Sequence, residues 1–257
     1  MISMRDVSLR REDTQILDRI NLEIRQGEHW VILGRNGSGK TTILEMLTGY
    51  LFPSEGRIKV LGNLYGECDV REVRKEIGYI SPSLLEKLNL SDPVWEVVAT
   101  GAYAFLRFYQ EIPADVKEKA LKLLHEMNLG KLSDHPLGTL SQGERKKVML
   151  ARSLMSDPKL LIMDEPCAGL DLYEREKMLA EVQRLGGRDI TVIYVTHHVE
   201  EIMPVFTHIA LIREGKLAGS GPKREVLNDE MIKQTYDIPV RIDWDGGRPW
   251  IKVVSGG

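Results

Sequence analysis

The residues best suited to phosphate chemistry lie in one glycine-rich stretch near the start of the chain. Residues 34–41 read G-R-N-G-S-G-K-T and fit the phosphate-loop pattern G-x-x-x-x-G-K-[ST]. The apolar run His29–Leu33 before it predicts a buried strand, and Thr42–Leu47 after it has helical spacing. Backbone N–H groups of such a turn and the positive end of the following helix form an anion site. The predicted phosphate-binding residues are Gly34, Arg35, Asn36, Gly37, Ser38, Gly39, Lys40, Thr41 and Thr42.

Lys40 and Thr41 have different expected roles in this loop. A lysine ammonium supplies a point charge for the β- and γ-phosphates, and a threonine hydroxyl is a ligand for Mg²⁺. A chance match in an ordinary turn is the alternative interpretation. The strand before the loop and the helix after it argue against that alternative.

Two adjacent carboxylates follow a fully apolar segment later in the chain. Residues 160–163 predict a buried strand, and Asp164 and Glu165 come directly after it. Parallel sheets bind ligands at the carboxyl ends of their strands. We expect Asp164 to hold Mg²⁺ through the ion's water shell. Because side chains alternate along a strand, we expect Glu165 to point away from the metal and to act on a water as general base. The alternative is a solvated strand end.

A second helix N-terminus is predicted where residues 140–145 read L-S-Q-G-E-R. Ser141 is a suitable helix cap, and Gly143 lets the backbone approach a ligand closely. Ser141 and Glu144 also fit a plain capping box, S-x-x-E, which needs no ligand. The phosphate loop upstream and the carboxylate pair downstream favour the anion-binding interpretation.

These segments together resemble the ATP-binding-cassette (ABC) ATPases, whose signature motif usually reads L-S-G-G-Q. Residues 168–171, A-G-L-D, resemble the family's D-loop, and His197 resembles its switch histidine. The resemblance covers about residues 2–228, with the motifs in the family's order. It implies ATP and Mg²⁺ as nucleotide and metal. The implied residues are Glu165 and His197 for catalysis, Thr41 and Asp164 for the metal, Ser141, Gln142, Gly143 and Glu144 for ATP contact in trans, and Asp171 for the D-loop.

His197 has two other interpretations. A lone histidine at a strand end is often an ordinary surface or core residue. His197 and His198, with Glu200 and Glu201, also suggest a metal site, but the spacing in a strand-to-helix turn fits poorly.

The sequence departs from the family at two places. A Gln is usual where the chain enters the helical insertion, whereas here residues 78–83 read G-Y-I-S-P-S, so Ser81 or Ser83 would substitute in part. The family also tends to stack an aromatic ring on adenine, but the loop after the first strand has none. Arg11 lies nearest the expected place, and a guanidinium can stack on a purine. A solvent-exposed charged turn is the alternative for Arg11.

The elements that position these motifs predict an α/β fold. Alternating apolar residues over Met4–Leu9 and Ile16–Ile24 predict antiparallel strands ahead of the phosphate loop. Apolar residues at helical spacing predict a helical subdomain inserted at about 83–138. Strands and helices alternate after it, as expected for a parallel sheet covered on both faces. The expected fold is a P-loop NTPase core with a mainly parallel sheet, an N-terminal antiparallel β subdomain and the inserted helical subdomain.

The remaining predicted elements lie on either side of the insertion. Before the insertion, short strands are expected at residues 57–60 and 77–80. After it, we expect core helices at 142–155 and 173–185 and core strands at 160–163 and 191–195. A hairpin is expected from residues 209–212 and 217–220. We expect the ABC ATPase domain to span residues 1–228. Residues 229–257 would form a C-terminal helix and a hairpin around the turn Asp245-Gly246-Gly247.

Bulk composition excludes several classes of protein. A net charge of -3 over 257 residues argues against broad non-specific binding of nucleic acid, so no nucleic-acid partner is expected. Two cysteines, Cys68 and Cys167, indicate a reducing compartment without a disulfide framework. We find no signal-peptide pattern and no apolar stretch of about 18 residues, so we expect a soluble, cytoplasmic chain.

The resemblance also implies partners. ATP would lie between two copies, or two paired ABC ATPases, packed head-to-tail, gripped by Lys40 of one and Ser141 of the other. Separate transmembrane transporter subunits would dock on the helical insertion, with the chain peripheral on the cytoplasmic face of the membrane. The candidate docking region is residues 84–101, and its apolar candidates for partial exposure are Leu84, Leu85, Leu88, Val94 and Trp95. The alternative, expected for most of these five, is that they pack the subdomain against the core.

Two other functions remain open at this point. One is a non-transport ABC ATPase acting in translation or DNA repair, although such proteins usually carry two cassettes or a long coiled coil. The other is a nucleotide or small-molecule kinase, which would exclude water from the site, whereas Glu165 is expected to activate a water. A short single cassette favours import of a small solute or metal complex, but nothing in the sequence names the cargo.

Overall fold

A computed structural model describes residues 1–254 of the chain. The chain folds into two compact units. The first unit combines residues 1–74 with the segment from residue 191 onward, and the second is formed by residues 75–190. The predicted insertion at 83–138 therefore falls within the second unit. The domain boundary predicted at residue 228 stays a prediction.

The helices and strands follow one another in the order expected. Up to the unit boundary they are β1 (Ile2–Arg11), β2 (Thr14–Ile24), β3 (Trp30–Leu33), α1 (Lys40–Leu47), β4 (Glu55–Val60), β5 (Asn63–Leu64) and α2 (Val70–Lys75). The second unit continues with β6 (Ile77–Ile80), α3 (Pro82–Glu86), α4 (Val94–Ala99), α5 (Ala114–Glu126), α6 (Gln142–Ser153), β7 (Leu160–Asp164) and α7 (Leu172–Arg184). The chain then forms β8 (Thr191–Thr196), β9 (His208–Arg213), β10 (Lys216–Pro222), α8 (Lys223–Val226), α9 (Asp229–Tyr236), β11 (Val240–Asp245) and β12 (Arg248–Val253).

The first unit contains an antiparallel sheet in the order β2-β1-β4-β5, as the alternating apolar residues predict. Val7 pairs with Ile20 and Leu9 with Leu17, and all four side chains are buried. Val7 and Leu9, two residues apart, share one face of β1. Leu17 and Ile20 are three residues apart, and a register shift between the two pairs accommodates the extra residue of β2.

The strand that leads into the phosphate loop lies between two parallel neighbours in the same unit. Val31 of β3 pairs with Tyr194 of β8 on one side and with Ile209 of β9 on the other. All four residues of β3 are buried. A parallel strand with continuous apolar sequence is typical of a sheet covered on both faces, which fixes the position where the phosphate loop begins.

The second unit holds the parallel pair β6 and β7, in which Ile77 pairs with Leu160 and Ile80 with Met163. The helices predicted from apolar spacing are present, and their apolar faces are buried at Val94, Val97, Val98, Val116, Ala120, Leu123 and Leu124. The predicted fold, an α/β P-loop core with an antiparallel β part and a helical part, is confirmed. No helix within residues 1–254 is both long enough and apolar enough to cross a bilayer.

The C-terminal part belongs to the first unit. Strands β11 and β12 form the predicted hairpin, with Asp245 paired to Arg248 across the turn. Asn228 caps α9, its side chain accepting a hydrogen bond from the Met231 N–H at 2.9 Å. Asp229 of this helix in turn accepts one from the Ile242 N–H of β11 at 2.8 Å, which ties the hairpin to the helix.

Candidate active site

The phosphate loop is the turn between β3 and α1. Lys40 is buried, and its ammonium donates hydrogen bonds to the carbonyls of Gly34 at 2.8 Å and Arg35 at 3.0 Å. The amide of Ser38 donates to the Arg35 carbonyl at 3.2 Å, which closes the turn. The loop thus curls around the lysine side chain. Arg35, Asn36 and Gly37 lie at its exposed rim.

Two features of this loop indicate an anion cradle. The Ser38 hydroxyl is buried and has no hydrogen-bond partner within residues 1–254. An unsatisfied buried hydroxyl costs free energy, which a bound phosphate oxygen would recover. Gly39 caps α1 with φ 105°, a left-handed conformation that side-chain-bearing residues rarely adopt. Thr41 and Thr42 follow in the first turn of the helix, exposed and half-buried respectively.

His197 lies in a turn just after β8 that is held by a buried carboxylate. Glu201 is 3% exposed and accepts hydrogen bonds from the Tyr194 hydroxyl at 2.9 Å and the Thr196 hydroxyl at 2.7 Å. Thr196 in turn accepts the His198 N–H at 3.0 Å. The rings of His197 and His198 pack with centroids 4.1 Å apart. The turn that carries His197 is therefore rigidly positioned, and His197 itself remains half-exposed.

Glu201 is a residue whose role the sequence did not reveal. Tyr194 and Thr196 lie two residues apart on a fully buried strand, so both hydroxyls need an acceptor. That pairing is the signal that would have predicted an inward-facing carboxylate. Among residues 1–254, no group of three or more His, Cys, Asp and Glu side chains is arranged to hold a metal ion.

The carboxylate pair lies in the second unit, at the end of β7. Asp164 is the last residue of the strand and is 7% exposed, whereas Glu165 is half-buried and lies outside the strand with φ 45°. Strand alternation therefore does not determine the direction of Glu165, and that step of the sequence argument is wrong. The left-handed backbone turn sets its direction instead.

A buried lysine that the sequence did not single out interacts with this pair. Lys146, on α6, is 9% exposed. Burial lowers the pKa of its ammonium, while Cys167, Glu165 and Asp164 act in the opposite direction. The signal in the sequence was weak, because a lysine on a helix is usually solvated.

The predicted capping box at the start of α6 is fully formed. The Ser141 hydroxyl accepts the Glu144 N–H at 3.3 Å, and a carboxylate oxygen of Glu144 accepts the Ser141 N–H at 2.8 Å. Ser141 and Gln142 are exposed. Gly143 is needed for packing as well as for ligand approach, since a Cβ there would lie 2.2 Å from a carboxylate oxygen of Glu174. The signature helix thus begins at an exposed turn that rests on α7.

The D-loop residue Asp171 is the N-cap of α7. Its carboxylate accepts the Glu174 N–H at 2.9 Å, and the side chain is exposed. Gln142 of the signature turn lies beside Gly169, because a Cβ on Gly169 would be 3.2 Å from the Gln142 amide oxygen. The structure therefore brings the signature turn and the D-loop together within the second unit.

The residues suggested for the two departures from the family are found in different environments. Ser81 is buried and caps α3, its hydroxyl accepting the Leu84 N–H at 3.2 Å. Ser83 is exposed, with its hydroxyl 3.1 Å from that of Ser81. Ser83 is thus the more accessible of the two. Arg11 is exposed at the tip of the β1–β2 hairpin, opposite Thr14, so its adenine contact stays a prediction.

Comparison with known proteins gives one answer. The ABC transporter family profile matches residues 17–168. YlmA of Bacillus subtilis, an uncharacterized ABC transporter ATP-binding protein, is 38% identical over 98% of this chain and 96% of its own length. YmeB of Lactococcus lactis, also an uncharacterized ABC transporter ATP-binding protein, is 34% identical over 94% of each chain.

Solved structures agree. The cbiO1 protein of Clostridium perfringens, part of the ABC transporter complex cbiONQ, has a TM-score of 0.78 at 28% identity over 91% of this chain and 92% of its own. An ATP-binding cassette of an ABC transporter in its ADP conformation has a TM-score of 0.76 at 25% identity, over 92% and 94% of the two chains. Since the family profile matches more than half of the chain and the relatives cover nearly all of it, the chain belongs to the ABC transporter family, as an ATP-binding subunit that hydrolyses ATP.

Proposed function

We propose that two copies of this chain bind ATP between them and that hydrolysis drives separate transmembrane subunits that move a solute. The observation that carries the proposal is the pair of helix N-termini, one behind the phosphate loop at Lys40 and one at the exposed signature turn at Ser141. Each is suited to phosphate oxygens. In this arrangement the γ-phosphate holds the pair closed, and its loss on hydrolysis releases it.

The exposed surface of the second unit supports such a pairing. Next to the signature turn, Leu172 and Tyr173 are each 67% exposed, directly after the D-loop. Exposed apolar residues beside exposed polar capping groups are typical of protein interfaces. We place Asp171, Leu172 and Tyr173 in the contact between the two copies.

Each site residue then has a chemical role. The phosphate loop binds and orients the triphosphate, with Lys40 near the β- and γ-phosphates and the Ser38 hydroxyl as a further donor. Glu165 accepts a proton from the attacking water, and His197 donates a hydrogen bond to the γ-phosphate. The hydroxyl of Thr41 and the carboxylate of Asp164 are oxygen donors of the kind Mg²⁺ prefers, and the ion would neutralise phosphate charge.

We place the docking surface for the transmembrane subunits just after the predicted region 84–101, in which Leu90 is 46% exposed. Leu88 and Val94 are buried, and Leu84, Leu85 and Trp95 are half-buried. Four apolar side chains that follow this region are exposed: Tyr103, Phe105, Leu106 and Tyr109, the last of them 92%. The rings of Tyr103 and Phe105 stack with centroids 5.5 Å apart, and we call these four residues the aromatic patch.

The aromatic patch is linked directly to the signature helix. Arg152, near the end of α6, donates hydrogen bonds to the Phe105 carbonyl at 2.6 Å and the Thr100 hydroxyl at 2.9 Å. The Arg152 side chain is buried, so the link is shielded from water. A displacement of α6 would therefore be transmitted to the patch. We propose that the transmembrane subunits dock there, with the chain on the cytoplasmic face of the membrane.

Membrane recruitment tests this function. The chain is co-expressed with and without the membrane proteins encoded beside it in its native host, and membranes are collected by sedimentation. We expect the chain in the membrane fraction only with those partners.

Tyr109→Ser with Phe105→Ser should reduce recruitment about tenfold, because two exposed aromatic anchors are lost. The control pair Tyr50→Ser and Phe52→Ser, exposed aromatics of the first unit, should not. Sedimentation with ribosomes instead would overturn the transport assignment.

A further inference from the structure

The C-terminal segment, residues 229–254, contacts both turns that carry the proposed γ-phosphate residues. Helix α9 of this segment ends at Tyr236, and Asp237 is its C-cap with φ 59°. One of these two adjacent residues contacts the turn of His197 and the other contacts the phosphate loop. All of these contacts lie within the first unit.

Tyr236 contacts the backbone of His197 itself. Its phenol donates a hydrogen bond to the His197 carbonyl at 3.2 Å. Burial raises the pKa of this phenol, and the charge of Glu200 raises it further. The phenol therefore keeps its proton, and the hydrogen bond persists across the physiological pH range. It fixes the carbonyl of the residue whose imidazole is proposed to contact the γ-phosphate.

Asp237 contacts the phosphate loop through Arg35. Its carboxylate accepts from the Arg35 guanidinium at 3.3 Å and from the Arg213 guanidinium at 3.0 Å. Arg213 also donates to the carbonyl of Gln234, on α9. The carbonyl of Arg35 in turn accepts a hydrogen bond from the Lys40 ammonium. Asp237 is thus connected to the phosphate-binding lysine through a single residue.

The hairpin also contacts the segment that follows His197. Arg248 donates to the Glu200 carbonyl at 2.5 Å, three residues after His197. The Lys223 ammonium, which is buried, donates to the Met203 carbonyl at 3.2 Å and to the Gly247 carbonyl of the hairpin turn at 3.3 Å. The segment after His197 is therefore anchored to the hairpin at two points.

We propose that Tyr236 and Asp237 are positioning residues for ATP hydrolysis, Tyr236 acting on His197 and Asp237 on the phosphate loop. This inference rests on the proposed roles of Lys40 and His197. Neither residue needs to contact the nucleotide, because each acts through a neighbour that does. Tyr236 sets the orientation of a group needed for turnover, whereas Asp237 sets the shape of the loop that binds the triphosphate.

Tyr236→Phe and Asp237→Asn should change different steady-state kinetic constants of the purified chain. Tyr236→Phe removes one partly buried hydrogen bond. We therefore expect kcat to fall about 3- to 10-fold and KM for ATP to stay within about twofold. Asp237→Asn keeps a residue that tolerates the left-handed cap and removes only the charge. It should raise KM about 2- to 5-fold at low salt, and the difference should vanish near 0.5 M salt because the ion pair is half-exposed.

Two matched controls exclude a general loss of stability. Tyr65→Phe removes a phenol that donates to the Leu47 carbonyl at 2.6 Å, and Asp243→Asn removes an ion pair with Lys252 in the hairpin. Both should leave kcat and KM within about twofold, while thermal unfolding reports any loss of stability. If Tyr236→Phe and Asp237→Asn match these controls while the unmodified chain hydrolyses ATP, the inference is overturned. If the unmodified chain neither binds nor hydrolyses ATP, the proposed function fails instead.

Discussion

The two helix N-termini assigned to ATP phosphates differ in how their first backbone N–H groups are satisfied. Helix α1 begins at Gly39, which has no side chain to cap it, and the Ser38 hydroxyl beside it is unsatisfied within the described residues. Helix α6 begins with a closed capping box, in which the Glu144 carboxylate also accepts a hydrogen bond from the Ser141 hydroxyl at 2.8 Å. The phosphate loop is therefore ready for an anion, whereas the signature turn is already occupied by a carboxylate of its own.

This difference assigns the two helices different places in the cycle. An open N-terminus binds the triphosphate in a single chain, because no N-cap side chain competes with the phosphate. A self-capped N-terminus accepts a phosphate only when a partner brings one close enough to compete with Glu144. Nucleotide binding should therefore depend on α1, and pairing of the two copies should depend on α6.

The largest effect is expected from Glu165→Gln. Without its general base the chain should lose about 10²- to 10⁴-fold in turnover and still bind ATP. The two copies should then remain closed, as a dimer visible by size exclusion with ATP and Mg²⁺. Adding Ser141→Ala should weaken that dimer, because the signature turn then offers one donor fewer. A monomer in the presence of ATP would contradict the pairing of copies.

The second-largest effect distinguishes the role of α1 in ATP binding from that of α6. Lys40→Ala should weaken ATP binding by a dilute single chain about 10- to 150-fold, the range for losing hydrogen bonds to a charged group. Ser141→Ala should leave that affinity within about twofold. Calorimetric titration with a non-hydrolysable ATP analogue gives both constants. Equal losses in the two variants would mean that both turns contact nucleotide within one chain.

The smallest effect comes from Glu144→Gln. The amide keeps a hydrogen-bond acceptor for Ser141 and removes the negative charge from the signature turn. In the Glu165→Gln background, we expect the dimer to form at about 2- to 5-fold lower ATP concentration, since a carboxylate no longer competes with phosphate. Glu118→Gln, an exposed residue of α5, is the control. Tighter pairing in both variants would indicate a general effect of net charge.

The core of the site was predictable because short-range patterns determine it. The phosphate loop follows from glycine spacing between a buried strand and a helix, and the capping box from Ser141 and Glu144 three residues apart. The parallel strands follow from apolar runs such as β3 and β7. In each case the signal and the structure span the same few residues.

The unpredicted parts depend on backbone conformation or on contacts distant in sequence. Glu165 has a positive φ, a backbone conformation that no pattern in the sequence predicts for a residue other than glycine. The direction of its side chain therefore could not be predicted from strand alternation. Tyr236 and His197 are 39 residues apart, and Arg35 and Asp237 are 202 apart, so neither contact has a local signature. The aromatic patch was not predicted, because its residues lie between α4 and α5, where no helical spacing marks a face.

Lys223 makes the C-terminal hairpin difficult to remove. Its ammonium has three carbonyl acceptors, of which the Gly247 carbonyl belongs to the hairpin turn and those of Met203 and Pro204 to the segment after His197. Burial lowers the pKa of Lys223, with a smaller contribution from Arg224. If the hairpin were removed, for example to shorten the chain for crystallisation, this buried cation would lose one of its carbonyl acceptors. Protein engineers who trim the hairpin should therefore replace the lysine in the same step.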